Sequence, residues 1–301
     1  MKLALGPLLY FWRRETVMEY YSAAAEWPVD IVYLGETVCA KRRALRLNDW
    51  LEIAAHLQAA GKQVVLSTLA LLEAESELLA LQRIADNGEF WVEANDFGAV
   101  RLLAGRVPFV VGPHINSYNT ATLTLLAELG ARRWVLPVEL SRDTLTQLQQ
   151  ARPAGMETEV FAFGRLPLAF SARCFTARAL NLPKDDCQLR CGDYAEGMAM
   201  HTREGANLFT LNGIQVQSGG TCNLLGAVDE LLNQGVDVLR LSPQSTGMTE
   251  IVGLFDAVVK GRLALRDAEQ RSTAFLANDA CNGYWYGQPG MRWEVTETAG
   301  E

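Results

Sequence analysis

Ala60-Gly61-Lys62-Gln63-Val64-Val65-Leu66 joins a helix stop to an apolar, β-branched run. The same unit returns as Ala104-Gly105 before Phe109-Val110-Val111, as Leu129-Gly130 before Trp134-Val135-Leu136, and as Gln234-Gly235 before Val238-Leu239. Glycine just beyond a helix takes the left-handed position that ends it, so each unit reads as helix, short loop, strand. The strands are near-continuous apolar runs, as parallel strands covered on both faces require. Outward from these units, eight strands are expected at 3–6, 31–34, 64–67, 90–93, 109–112, 134–137, 159–163 and 238–241. Amphipathic helices separate them, for example 49–60, 69–85 and 121–129. Eight strands with helical crossovers predict an α/β fold, a (β/α)8 TIM-like barrel or an incomplete version of one. An open doubly wound sheet is the alternative, although no G-x-G-x-x-G follows the first strand.

The 301 residues suffice for a single barrel domain over 1–301, with a cysteine-containing insertion at about 165–237 after the seventh strand and a tail at about 267–301. Within the insertion, 207–216 has the pattern of a hairpin. Apolar residues make up 49% and charged residues 21%, ordinary globular values. Lys and Arg number 27 against 35 Asp and Glu, a net charge of −8, which argues against a chain that grips nucleic acid through phosphates. Neither a signal-peptide pattern at Met1-Lys2 nor an apolar run of spanning length is present, so a cytoplasmic location is expected. In that compartment, clustered cysteines bind metal or catalyse more often than they form disulfides.

The six cysteines are unevenly placed. Cys39 follows the second strand, Cys174, Cys187 and Cys191 fall together after the seventh, and Cys222 and Cys281 are scattered. In a barrel, loops after strands emerge on one face, where active sites sit, so Cys39 and the trio are expected to converge there. Four thiolates suit a tetrahedral zinc or an iron–sulfur cluster, and the single close pair favours the cluster. Buried or incidental thiols are the plain alternative, and the better one for Cys222 and Cys281.

Gly164-Arg165-Leu166-Pro167-Leu168-Ala169-Phe170-Ser171-Ala172-Arg173-Cys174, followed by Cys187 and Cys191, resembles the cysteine region of the U32 peptidase-like family. The family pattern is G-x-x-C-x-x-x-x-S-G-R-C; this chain has Pro167 where the first of those cysteines would stand. With Cys39 as the displaced fourth ligand, the arrangement is similar to the ubiquinone-biosynthesis branch of the family. The 112–119, 136–141 and 281–285 segments share that similarity. The resemblance implies a 4Fe-4S cluster on Cys39, Cys174, Cys187 and Cys191. It also implies a heterodimer with a UbiU-like cluster-binding subunit, and oxygen-independent hydroxylation of a ubiquinone precursor. A UbiT-like lipid-carrier protein and prephenate as oxygen donor belong to the same expectation. Proteolysis does not. A related branch hydroxylates RNA, which makes an RNA-modifying hydroxylase one competing reading; a non-catalytic scaffold stabilised by cluster or zinc is the other.

No H-E-x-x-H, G-x-S-x-G or P-loop is present. Catalytic candidates are therefore residues expected at strand ends. His114 and Asn116 follow the fifth strand, with Asn119 nearby, and Glu93 and Glu139 close the fourth and sixth. Glu36 follows the second strand, and these carboxylates either handle protons and bind a polar substrate or pair with an Arg and cap a helix. Arg165, Arg173 and Arg240 also fall near strand ends or the cysteines, where they meet an anion or offset thiolate charge. Gly219-Gly220-Thr221 is either an anion-binding helix start or a turn. His56 and His201 carry no distinguishing context, and Tyr284-Trp285-Tyr286 reads as packing on the barrel.

Overall fold

The computed structural model describes residues 1–295. The end of the expected tail, 296–301, lies outside the described residues. Seven parallel strands come first: β1 (Lys2–Leu5), β2 (Ile31–Leu34), β3 (Gln63–Ser67), β4 (Trp91–Ala94), β5 (Phe109–Val111), β6 (Ala131–Val135) and β7 (Glu157–Gly164). Between them run α1 (Arg14–Ala24), α2 (Leu47–Ala59), α3 (Glu75–Ala85), α4 (Phe97–Leu103), α5 (Thr120–Glu128) and α6 (Arg142–Gln150). The insertion then contributes β8 (Pro167–Phe170), α7 (Phe175–Ala179), β9 (Met198–His201), β10 (Asn207–Asn212), β11 (Gln215–Ser218), β12 (Thr221–Asn223) and α8 (Val228–Asn233). β13 (Val238–Leu241) pairs in parallel with both β7 and β1, which closes an eight-stranded barrel. After it come α9 (Met248–Val259), α10 (Leu265–Ser272) and the short β14 (Ala280–Cys281).

Local sequence accounts for these elements. The glycines of the four repeated units, Gly61, Gly105, Gly130 and Gly235, all take positive φ at the helix stops. Asp96, Asn119 and Ser141 cap α4, α5 and α6 through their side chains. The helix expected over 69–85 begins only at Glu75. Residues 69–74 instead form a loop tied to the β2 loop by Ala70 N–H donating to the Thr37 carbonyl at 2.9 Å, and Glu77 accepts from Glu73 and Ala74 N–H to start the helix.

Outward-facing strand residues such as Leu3, Leu34, Leu66 and Trp134 pack under the helices, while Ala4, Ile31, Val65, Val110 and Val238 fill the barrel. The insertion folds as its own sheet in the order β8-β11-β10-β9, with the expected hairpin made by β10 and β11. The tail returns to the barrel through β14, which pairs with β12. Trp285 is buried, donates to Glu230, and its carbonyl accepts from Arg142 N–H.

Candidate functional site

The loop after β2 carries Cys39. Glu36 holds its shape: one carboxylate oxygen accepts from Val38 N–H at 2.9 Å and Cys39 N–H at 3.0 Å. Arg42 then anchors the loop from below. This buried guanidinium donates to the Leu9 carbonyl at 2.7 Å and to the Asn212 side-chain carbonyl at 2.7 Å, with Glu36 3.8 Å away.

The same Asn212-Gly213-Ile214 turn receives the first cysteine of the trio. Cys174 caps α7, its sulfur accepting from Ala177 N–H at 3.4 Å, and Phe175 N–H donates to the Gly213 carbonyl at 2.8 Å. A side chain at Gly213 would meet Arg42 Nη2 at 2.8 Å, so the glycine permits the approach. Cys39 and Cys174 both pack against one small apolar cluster of Leu9, Val38 and Ile214.

Cys187 and Cys191 follow on two short 3₁₀ turns, with Gln188 and Leu189 between them in the left-handed region at φ 50° and 53°. Lys41, two positions after Cys39, crosses to this segment, donating to the Lys184 carbonyl at 2.8 Å and pairing with Asp185 at 3.1 Å. Burial pushes the Cys39 and Cys191 thiols up, and the Arg42 charge opposes that shift at both. Cys191 also feels Cys174, Cys39 feels Cys191, and Lys41 feels both Cys187 and Cys39. All four cysteines are half-buried free thiols. Among the described residues, no group of three His, Cys, Asp or Glu side chains is placed to hold one metal ion. The donor set, four soft ligands with Lys41 and Arg42 beside them, suits a thiolate-bound group.

Below it lies the barrel mouth. Thr37, Glu93, Asn95, His114, Phe161 and Arg240 line a narrow pocket there. Arg240 pairs with Glu93 at 2.7 Å and with Glu159 at 2.6 Å, and its guanidinium stacks 4.1 Å from the Tyr33 ring centre. Tyr33 donates to Glu159 at 2.5 Å, and Arg133 donates to the Tyr33 oxygen at 3.1 Å. Ser67 donates to Glu93 at 2.7 Å. Burial, reinforced by the Arg240 charge, pulls His114 down to about 3, so the imidazole is neutral at ordinary pH.

The other expected residues separate. Asn116 and Glu139 are exposed, and Glu139 accepts from Tyr118 away from the pocket. Asn119 is the α5 cap. Arg165 donates to the Glu196 carbonyl at 2.7 Å inside the insertion, and Arg173 is exposed. Gly219-Gly220-Thr221 leads into β12, a strand, so it is a turn. His56 and His201 are exposed. Cys222 and Cys281 are buried register partners across β12 and β14. Sequence reasoning missed Arg42, Arg133 and Tyr33; a charged residue inside an apolar run, as in Ala131–Val135, was the available signal.

The model of peptidase family U32 matches residues 16–293. The chain belongs to peptidase family U32. The tRNA hydroxylation protein P of Haemophilus influenzae is 29% identical over 104 residues, covering 34% of this chain and 22% of that protein. Among solved structures, a U32 peptidase aligns with a TM-score of 0.45 at 11% identity over 81% of this chain and 93% of that one. A mutant tryptophan synthase α-subunit from the hyperthermophile Pyrococcus furiosus aligns with a TM-score of 0.42 at 10% identity over 90% and 95%. No helix among the described residues is long and apolar enough to cross a membrane.

Proposed function

We propose that this U32-family barrel is the cluster-carrying subunit of an oxygen-independent hydroxylase, in the UbiV-like branch of the family, acting on a ubiquinone precursor. The observation that carries the reading is the docking of the Cys39 loop and Cys174 on one turn of the insertion, with Cys191 in electrostatic reach of both. Cys39, Cys174, Cys187 and Cys191 would hold a 4Fe-4S cluster. When bound, such a cluster supplies one-electron or oxygen chemistry. Arg42 and Lys41 offset thiolate charge, and Glu36 fixes the loop that presents Cys39. At the barrel mouth, neutral His114 accepts or donates a hydrogen bond without bringing charge, beside the neutralised Glu93–Arg240 pair. A UbiU-like subunit as dimer partner, a UbiT-like lipid carrier and prephenate as oxygen donor complete the proposal.

One observation favours a second substrate. The 104-residue likeness to a tRNA hydroxylation protein supports RNA as the molecule hydroxylated, and the comparisons speak for that reading more directly than for the quinone precursor. The net charge of −8 speaks against it.

The test begins with iron and sulfide analysis of the anaerobically purified protein. Cys39→Ala, Cys174→Ala, Cys187→Ala and Cys191→Ala each remove iron, and Cys222→Ala and Cys281→Ala retain it; the reverse pattern overturns the ligand set. Zinc in place of iron supports a stabilised scaffold. Cells lacking the chain, grown without oxygen, lose ubiquinone and keep their tRNA hydroxylation. Loss of the tRNA hydroxyl with ubiquinone intact selects RNA.

A further inference from the structure

The ring of helices around the barrel is not evenly packed. α2 leans on α1 and α3 on α4, and between α2 and α3 a groove of about 610 Å3 opens beside the Cys39 loop. That size lies within the usual range for small-molecule pockets, about 300–1,000 Å3. Leu34, Leu45, Leu66 and Leu81 are buried beneath it beside Ser67 and Thr68, and its accessible apolar surface comes from its walls, the half-buried Leu47, Trp50, Leu69, Leu72 and Ile84. Four arginines line it: Arg42 is buried and already bound to Leu9 and Asn212, whereas Arg43 and Arg46 ahead of α2 and Arg83 on α3 are exposed.

None of the three exposed guanidinium groups has a carboxylate partner among the described residues, although the chain carries an excess of eight negative charges. The two carboxylates that line the groove are already committed to backbone N–H groups. Glu36 holds Val38 and Cys39, and Glu77 holds Glu73 and Ala74. The groove therefore offers leucine surface and unpaired cations together on an acidic protein.

We propose that this groove binds a single-chain amphiphile with an anionic head group, its chain between the apolar walls at Leu47, Trp50, Leu69, Leu72 and Ile84 and its carboxylate or phosphate at Arg43, Arg46 and Arg83. The apolar walls supply affinity through buried area, and the guanidinium forks select an anion over a cation of equal length. The assignment does not rest on the hydroxylase reading, because binding is measured on the full chain with or without iron.

The probe is laurate, kept monomeric, titrated calorimetrically, with dodecyltrimethylammonium as the cationic counterpart. One laurate binds per chain, and the cationic probe does not. Affinity falls with added salt, and falls about tenfold or more in Arg43→Gln/Arg46→Gln/Arg83→Gln, as expected for lost charge-assisted hydrogen bonds. Ala80→Trp, which places an indole in the groove, abolishes binding, and circular dichroism verifies that both variants are folded. The salt and cation comparisons use the unaltered chain and stand without the variants. Equal binding of both probes, or undiminished binding by the triple variant, overturns the proposal. So does adsorption to phosphatidylglycerol vesicles without binding of monomeric laurate, which makes the face a membrane surface. Self-association that Ala80→Trp abolishes, with no laurate bound, makes it an interface between copies.

Discussion

Arg42 and Asn212, 170 residues apart in sequence, meet through Nη2 and the side-chain carbonyl at 2.7 Å. This buried contact fastens the Cys39 loop to the hairpin on which Cys174 also docks. Arg42→Met strands the Asn212 side-chain carbonyl and leaves the Leu9 carbonyl only its bond from Asn212 Nδ2, at a cost of about 3 kcal/mol read from urea unfolding. Asn212→Ala costs less, and the double variant shows a coupling energy of about 1–2 kcal/mol. Additive effects of the two substitutions would mean that the contact does not fasten the loop.

The barrel interior carries a charge ladder. Glu159 accepts from Tyr33 at 2.5 Å and Arg240 at 2.6 Å. Tyr33→Phe removes two hydrogen bonds, the one donated to Glu159 and the one accepted from Arg133, and costs about 1–3 kcal/mol. Glu159→Leu leaves two buried guanidinium groups short of counter-charge, and its cost is larger, about 3–5 kcal/mol. Equal unfolding midpoints for the two variants would contradict the ladder.

His114 makes stability depend on pH in a definite direction. Its folded value is about 3 against an ordinary 6.5. Between those values the unfolded chain binds the proton and the folded chain does not, so stability rises with pH there. The contribution is whole above about pH 6.5 and is lost as the pH falls towards 3. His114→Gln removes the titration, and its urea midpoint falls less steeply over that range than that of the unaltered protein. Parallel curves would show that His114 is not held neutral.

Gly35 follows β2 and begins the Cys39 loop at φ +124°, where an added Cβ would lie 2.7 Å from the Ser67 carbonyl oxygen. Gly35→Ala meets both unfavourable φ and backbone that cannot yield. A loss of about 1–3 kcal/mol is expected. Gly61→Ala supplies the control: it also has positive φ, but open space around it, and its loss is smaller. Thermal unfolding of the pair compares the two.

The barrel was legible because its strands are apolar on both faces. The runs at 31–34 and 238–241 coincide with β2 and β13, since nothing polar interrupts the strand until the glycine or serine that follows, Arg240 excepted. The sheet of the insertion was legible only in its hairpin. Pro167–Phe170 and Met198–His201 are largely half-exposed and take their strand conformation from β11 and β10, partners that no local pattern names. The start of α3 was hidden for a related reason: Leu69-Ala70-Leu71-Leu72 has helical composition, but Ala70 is drawn to the Thr37 carbonyl. At the site, cysteine spacing pointed to the Cys39 loop and the Cys174 segment, which meet at the Asn212-Gly213 turn, whereas the anchor Arg42 looked like one of several cations in Lys41-Arg42-Arg43. Its burial depends on Leu9 and Asn212, which only the folded chain brings together.

The anchorage of the Cys39 loop on Asn212 also fixes a timetable. On the ribosome, Cys39 emerges 135 residues before Cys174, an interval of about 7–27 s at ordinary elongation rates. Throughout that interval the thiol has neither its hairpin nor its neighbours, and it is exposed to oxidants and to stray metal. The four cysteines become neighbours only after translation has passed Asn212, so assembly of whatever they hold belongs to the finished chain and not to the nascent one.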